Sequence, residues 1–206
     1  MCCEWVAGRL AGILGLPMPD IRIAEVPTEL ITGSSRADAR DLGAGLVCAS
    51  RMINDAQELT WPDIGNVPLD VQRLVLLFDW WVQNEDRTLT EFGGNPNLLW
   101  SNAAGGVQVF DLNLAFDESL EPLRFWQMHV FRAAAASGWD SVFRGEAEAK
   151  LVKALAKLDE IWQEVPTVWV HPGGDVSSPA NLDRLAVERI LQRFQTEPDK
   201  FWSALL

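Results

Sequence analysis

Residues 68–84, PLDVQRLVLLFDWWVQN, constrain the fold more than any other stretch of the chain. Val71, Leu74, Val75, Phe78, Trp81 and Val82 recur at the i, i+3, i+4, i+7 spacing of an amphipathic helix, and Pro68 suits its first turn. A helix this apolar has to be covered by the rest of the chain. Its end is abruptly polar: Asn84-Glu85-Asp86-Arg87, then Asn95-Pro96-Asn97 after the stretch TLTEFGG. Helix caps and turns use these residue types, and so does a site that handles charge. The residues C-terminal to Asn97 decide between the two.

NLLWS (97–101) and VQVFDL (107–112), joined by residues 102–106, read as a β-hairpin. Asp111 stands at the end of the second strand, and pairing of the strands brings it to the edge that carries Asn97. The loop before the hairpin puts Asp86 on the same edge. Two carboxylates and an amide oxygen in one small region suit phosphoryl transfer. One aspartate positions an attacking hydroxyl and takes its proton; an asparagine oxygen and a second aspartate hold a magnesium ion, because hard cations take oxygen ligands.

The remainder is mostly helical. Residues 3–15 predict a helix ended by Gly15, residues 21–26 alternate like a strand, and 32–45 read as a polar loop. Residues 45–53 fit a strand or a short helix. Helices are expected over 122–136, 145–165 and 181–195, a Pro/Gly/Ser linker over 172–179, and a closing segment, 199–206, docked through Trp202. His129 and His171 read as structural or surface residues without a catalytic partner. The fold class expected is α+β, mainly helical.

Composition removes several functions. A net charge of −12 argues against binding nucleic acid or an anionic membrane, both of which need basic patches. No apolar run reaches the length of a membrane span. Cys2, Cys3 and Cys48 are odd in number and lack metal-ligand spacing, which fits a reducing cytoplasm better than a disulfide framework or a zinc site.

DWWVQNEDR, NPNLLW and VQVFDLNLAFD, in that order, resemble the catalytic segment of the HipA-like kinases, a branch of the protein-kinase-like superfamily related here to the phosphatidylinositol kinases. EWVAGRLAGILGLPMPDIRIAEVP (4–27) and GAGLVCASRM (43–52) are similar to that family's opening helix and strands. The resemblance implies a kinase-like C-terminal lobe over 55–206, with a remnant of the N-terminal lobe over 1–54. It implies ATP and Mg2+ as cofactors, and a hydroxyl of a protein Ser/Thr or of a small molecule as acceptor. By position, Asp86 takes the catalytic aspartate role and Arg87 orders the loop. Asn97, or else Asn95, takes the magnesium-binding asparagine role, Asp111 the metal-binding aspartate role, and Glu4 that of the glutamate paired with the ATP-binding lysine.

Two departures accompany it. In the family the Asp-Arg and Asn-Pro-Asn elements nearly adjoin, whereas residues 88–94 separate them here, an insertion expected to shift the asparagine. The family's glycine-rich strands and lysine precede the glutamate helix, while the first lysine here is Lys150. Three expectations arise: a kinase completed by a protein partner that supplies those strands, a non-catalytic kinase-like binding module, or a fragment of a longer kinase.

Overall fold

The computed structural model describes residues 1–36, 38–137, 139–171 and 182–203. The first helix, α1 (Cys2–Leu14), buries Trp5, Val6, Leu10 and Leu14 and stops at Gly15, whose φ of 83° is left-handed. Glycine takes that conformation without a Cβ penalty, and the Gly15 and Leu16 N–H groups then satisfy the carbonyls of Gly12 and Ala11. Strand β1 (Ile21–Val26) pairs antiparallel with β2 (Gly45–Ser50), Ile21 facing Ser50 and Val26 facing Gly45. That pairing resolves the segment 45–53 as a strand over its first six residues. Two short helices, α2 (Thr28–Gly33) and α3 (Ala39–Leu42), take residues 32–33 and 39–42 of the segment that reads in sequence as a loop.

After the two-residue strand β3 (Gln57–Glu58) and a 3-10 turn (Trp61–Asn66) comes α4 (Leu69–Val82). Every residue from Val75 to Val82 is buried, Asp79 included, so the C-terminal half of this helix is covered on all sides. The polar stretch beyond it forms a hairpin, β4 (Thr88–Thr90) with β5 (Gly93–Asn95). The apolar hairpin comes next, β6 (Leu98–Ser101) with β7 (Gly106–Val109), and β3 completes a three-stranded sheet in the order β3-β6-β7. The second strand ends at Val109 rather than 112. Phe110 still donates its N–H to the Asn97 carbonyl, but Asp111 has a left-handed φ of 54° and the Leu112 N–H turns to Glu4, so the ladder cannot continue.

The helical part comprises α5 (Pro122–Met128), a 3-10 turn (Arg132–Ser137), α6 (Ser141–Leu155), α7 (Leu158–Glu164), α8 (Thr167–Val170), α9 (Arg184–Thr196) and α10 (Pro198–Ser203). The single helix expected over 122–136 is broken at 129–131. His129 leaves the helix, its Nδ1 takes the Phe131 N–H, and the Val130 N–H goes to the Arg87 carbonyl. The helix expected over 145–165 starts earlier, because the Asp140 side chain accepts the Val142 and Phe143 N–H groups as an N-cap. It then breaks at Ala156–Lys157, and both halves lie against α1. The expected linker 172–179 lies outside the described residues.

One buried cluster runs from Cys2 and Trp5 through α4 and the β6–β7 hairpin to Phe201 and Trp202, so residues on both sides of the expected boundary at 54 share a core. Indole donors tie its ends together: Trp81 Nε1 donates to the Leu191 carbonyl (2.9 Å) and Trp80 Nε1 to that of Phe201 (3.1 Å). The described part of the closing segment, in α10, therefore docks as expected, with Trp202 buried. Trp80 and Trp81 are core residues. Among the described residues no helix is long and apolar enough to cross a membrane. Replacing Trp81 with Ala removes a fully buried ring and an interhelix hydrogen bond, and is expected to cost about 3–5 kcal/mol. Urea unfolding measures this as a lowered midpoint with an unchanged slope.

Candidate active site

The buried end of α4 creates an electrostatic problem that the next residues solve. Asp79 sits in the core with no solvent exposure, and an unpaired carboxylate there would be very costly. Arg87, equally buried, donates from Nε to Asp79 Oδ2 at 2.7 Å. His129 Nε2 reaches the same oxygen at 3.0 Å, and Asn84 Nδ2 donates to Oδ1 at 2.8 Å. Because the Phe131 N–H donates to His129 Nδ1, the imidazole proton belongs on Nε2 and points at Asp79. Burial works to raise the Asp79 carboxyl, but the Arg87 charge and the hydrogen bonds from His129 and Arg87 outweigh it and hold it below the ordinary aspartate range. Burial lowers the His129 imidazole, assisted by Arg87 and Arg132 and opposed by Asp79, so the ring stays neutral.

The other side of the Arg87 guanidinium faces backbone. Nη1 donates to the Pro96 carbonyl (3.3 Å), to that of Asn97, and to that of Phe110 (3.3 Å). These are the residues at the open end of the β6–β7 hairpin. Asn97 and Asp111, one on each side of it, both have left-handed backbone, with φ of 48° and 54°. For residues other than glycine that costs on the order of 1 kcal/mol or more each and persists only where the surroundings impose it.

Residues 88–94, the apparent insertion, do not carry the asparagines away. Thr88 pairs with Asn95, so the β4–β5 hairpin returns the chain to where it left. The return needs Gly94, where a Cβ would lie 2.4 Å from the Thr88 carbonyl oxygen. As a result Asn95 Nδ2 and Asn97 Nδ2 both donate to Asp86 Oδ2 at 2.8 Å. Asp86 Oδ1 takes no hydrogen bond among the described residues. Glu85 ties this loop to α5 through the Arg124 guanidinium (3.0 Å) and the Glu121 N–H (3.3 Å).

Asp111 and Glu4 line one cavity of about 220 Å³ with Met18, Ile21, Cys48, Ser50, Val109 and Phe110. Glu4 Oε2 accepts the Leu112 N–H at 2.6 Å, which fastens α1 to the segment after Asp111. Burial raises the Glu4 carboxyl, the Leu112 bond opposes this, and the negative charge of Asp111 adds to it. Among the described residues Asp111 has no hydrogen bond or ion pair, and no cationic side chain lines the cavity, although the Arg87 charge works from beneath it to lower the Glu4 carboxyl. Burial holds the Cys48 thiol in the same cavity at about 11, so it stays protonated and inert.

These donors fit a magnesium ion. No three His, Cys, Asp or Glu side chains converge on one point among the described residues, so a site walled in by protein carboxylates is absent there. Magnesium does not need one: it commonly takes one or two carboxylates and fills its shell with phosphate and water oxygens. Among the described residues the Asp111 carboxylate has no partner, and with the Asn97 nitrogen engaged by Asp86 the Asn97 oxygen would be the atom able to meet a cation.

Asp86, Asn95 and Asn97 are thus in contact, and Glu4 and Asp111 share a cavity next to the same hairpin end. Arg87 does not touch that cavity and acts from beneath. The sequence reading misses Asp79, Asn84 and His129. A carboxylate between Phe78 and Trp80 in a fully covered helix was the available signal, since such a charge must find a partner.

The titration of this core has a direction. A His129 imidazole lowered in the folded state, against an ordinary value of 6.5, contributes stability that is present above that value and lost as pH falls below it. Asp79 adds the same trend only below the ordinary aspartate value of 3.8. Urea midpoints are therefore expected to fall as pH is lowered from about 7.5 to about 5.5. His129→Gln, which keeps a donor for Asp79 and cannot titrate, should flatten that slope.

A comparison with protein families matches HipA-like kinase over residues 1–205. No curated protein matches the chain. Kinases of this kind in general imply phosphotransfer, with ATP and a divalent metal. The match spans the catalytic segment, the α1 helix and the helical part together, and on that coverage the chain belongs to the HipA-like kinase family.

Proposed function

We propose that this chain carries the catalytic face of an ATP- and Mg2+-dependent kinase, transferring a phosphoryl group to a hydroxyl of a protein Ser/Thr or of another molecule. The observation behind this reading is the asymmetric hold on Asp86. Both amides, from Asn95 and Asn97, engage Oδ2, and Oδ1 remains for an acceptor hydroxyl.

In the proposed reaction Asp86 Oδ1 accepts a hydrogen bond from that hydroxyl and aims its oxygen. As the oxygen bonds to the γ-phosphorus, the bond from phosphorus to the ADP oxygen breaks and the hydroxyl proton passes to Asp86. Asn97 and Asp111 would hold the magnesium ion, which would supply positive charge to offset that of the phosphates. Glu4 fixes the backbone that follows Asp111 through the Leu112 N–H. Met18, Ile21 and Val109 give the cavity beside Asp111 an apolar wall suited to part of a nucleotide. Supply of the phosphate-binding strands and lysine by a separate polypeptide belongs to the same proposal, the first lysine of these residues being Lys150 in α6.

Calorimetric titration with ATP and Mg2+, paired with a phosphotransfer assay, tests it. Asp111→Asn is expected to weaken magnesium-dependent nucleotide binding. Asp86→Asn is expected to leave binding intact and slow transfer by about 10²–10⁴-fold. Transfer that survives both substitutions would sink the assignment. No nucleotide binding at all, with candidate partners present, would instead make the chain a non-catalytic binding module.

A further inference from the structure

Four buried side chains meet beneath the hairpin end, and the proposed chemistry uses none of them directly. Asp79 receives Arg87 Nε and His129 Nε2 on one oxygen and Asn84 Nδ2 on the other. Arg87 Nη1 then spends its donors on the carbonyls of Pro96, Asn97 and Phe110. Those three carbonyls have one thing in common: they belong to, or directly precede, Asn97 and Asp111, two of the residues other than glycine that are held left-handed. Phe110 and Asn97 are also joined by the Phe110 N–H on the Asn97 carbonyl (3.3 Å), so Arg87 braces both strands across their last pairing.

We propose that Asp79, Arg87 and His129 form the outer shell of the metal site, setting the position of Asn97 relative to Asp111 through a guanidinium that neither ligand's side chain touches. This inference rests on the kinase reading above. Asp79 and His129 are positioning residues in it. Asp79 fixes the guanidinium plane with a charge, and His129 fixes Asp79. The Phe131 N–H holds the imidazole in the tautomer that donates to Asp79. The break between α5 and the 3-10 turn then has a function, since an uninterrupted helix over 122–136 would not leave the Phe131 and Val130 N–H groups free for His129 and Arg87. The groups facing His129 are Asp79 and Arg87 from α4 and the loop after it, and Arg132 from the turn beyond.

A merely structural role would loosen the whole fold, whereas a brace loosens one place. The test uses the full chain and three variants, each with two readouts. His129→Phe keeps an aromatic ring and removes both hydrogen bonds. Arg87→Lys keeps a charge for Asp79 and cannot span three carbonyls. His129→Gln keeps a donor for Asp79 and serves as the conservative control. Amide hydrogen exchange is measured at Phe110, against Val109, whose N–H bonds to the Pro17 carbonyl, and the Trp81 indole as references. The Mg2+ concentration that half-saturates ATP binding is measured in parallel.

Expected for His129→Phe and Arg87→Lys is exchange at Phe110 faster by about 10-fold or more with the references unchanged, and a Mg2+ half-saturation raised about 10–100-fold, as loss of an outer-shell partner does. His129→Gln should stay near wild type in both. Uniform acceleration at all three positions reduces the cluster to a structural one and overturns the proposal. So does a local change at Phe110 without a change in Mg2+ requirement, or no change in either. If His129→Phe does not fold, Arg87→Lys carries the decision. A wild-type chain that binds no magnesium-ATP even with candidate partners present sinks the kinase reading itself, while the exchange contrast still decides whether the brace exists.

Discussion

The ion pair between Asp79 and Arg87, with no solvent on either side chain, is the constraint around which the rest of the site is arranged. Such a pair is not a gift of stability. Desolvating both charges costs several kcal/mol per ion, and well-packed apolar residues often serve a fold as well or better. Its worth here lies in what the guanidinium does with its remaining donors. Arginine presents a rigid planar fork, so fixing Nε on Asp79 dictates where Nη1 points. It points at three backbone carbonyls at the open end of the hairpin. Each of the elements that supply the pair is shaped by it: α4 keeps a charge in its covered half, the loop after α4 turns inward at Arg87, and α5 stops so that His129 can complete the set.

Backbone strain and this pair explain one another. Asn97 and Asp111 adopt a conformation that side chains other than glycine avoid, though Asn and Asp tolerate it better than most. Left-handed residues change chain direction sharply. At Asn97 the change lets one amide reach back to Asp86, and at Asp111 it ends the strand and frees the Leu112 N–H for Glu4. Gln83, with φ of 53°, does the same at the end of α4 and starts the loop that carries Asp86. Three of the left-handed residues other than glycine thus stand at corners of the candidate site, Phe116 being a fourth beyond them, and the buried hydrogen bonds around Arg87 hold two of those corners in place.

The features legible in the sequence obey local rules. The α4 helix, the β6–β7 hairpin and the α1 stop at Gly15 each announce themselves through period or turn chemistry, and the order Asp86, Asn97, Asp111 with the resemblance it carries locates the site. The features that escape it depend on partners distant in sequence. The helix expected over 122–136 has no glycine or proline at its break; it stops because His129 answers Asp79, fifty residues earlier. The β4–β5 hairpin reads as a displacement because its register depends on Gly94 meeting Thr88 closely, which spacing alone does not reveal. Asp140 as an N-cap is a local signal too, and it lies ahead of Gly145, where the sequence reading begins the helix.

The cavity beside Asp111 has the opposite charge balance to the buried pair. Glu4 and Asp111 share it on a chain of net charge −12, with no cation beside Asp111 among the described residues. Burial and Asp111 raise the Glu4 carboxyl, so above its folded value the ionised group subtracts from stability; that contribution is recovered as pH falls. A fold selected for stability alone would place a Gln or an apolar residue there. Keeping both carboxylates stores unfavourable energy at the one place where a divalent cation, or a cationic side chain from elsewhere, can release it. The same reasoning applied to Asp79 gives the opposite result, because its cations are built in. The chain therefore contains one carboxylate site that is already balanced and rigid, and one left unbalanced. Arg87, through the carbonyls of Asn97 and Phe110, joins the first to the second.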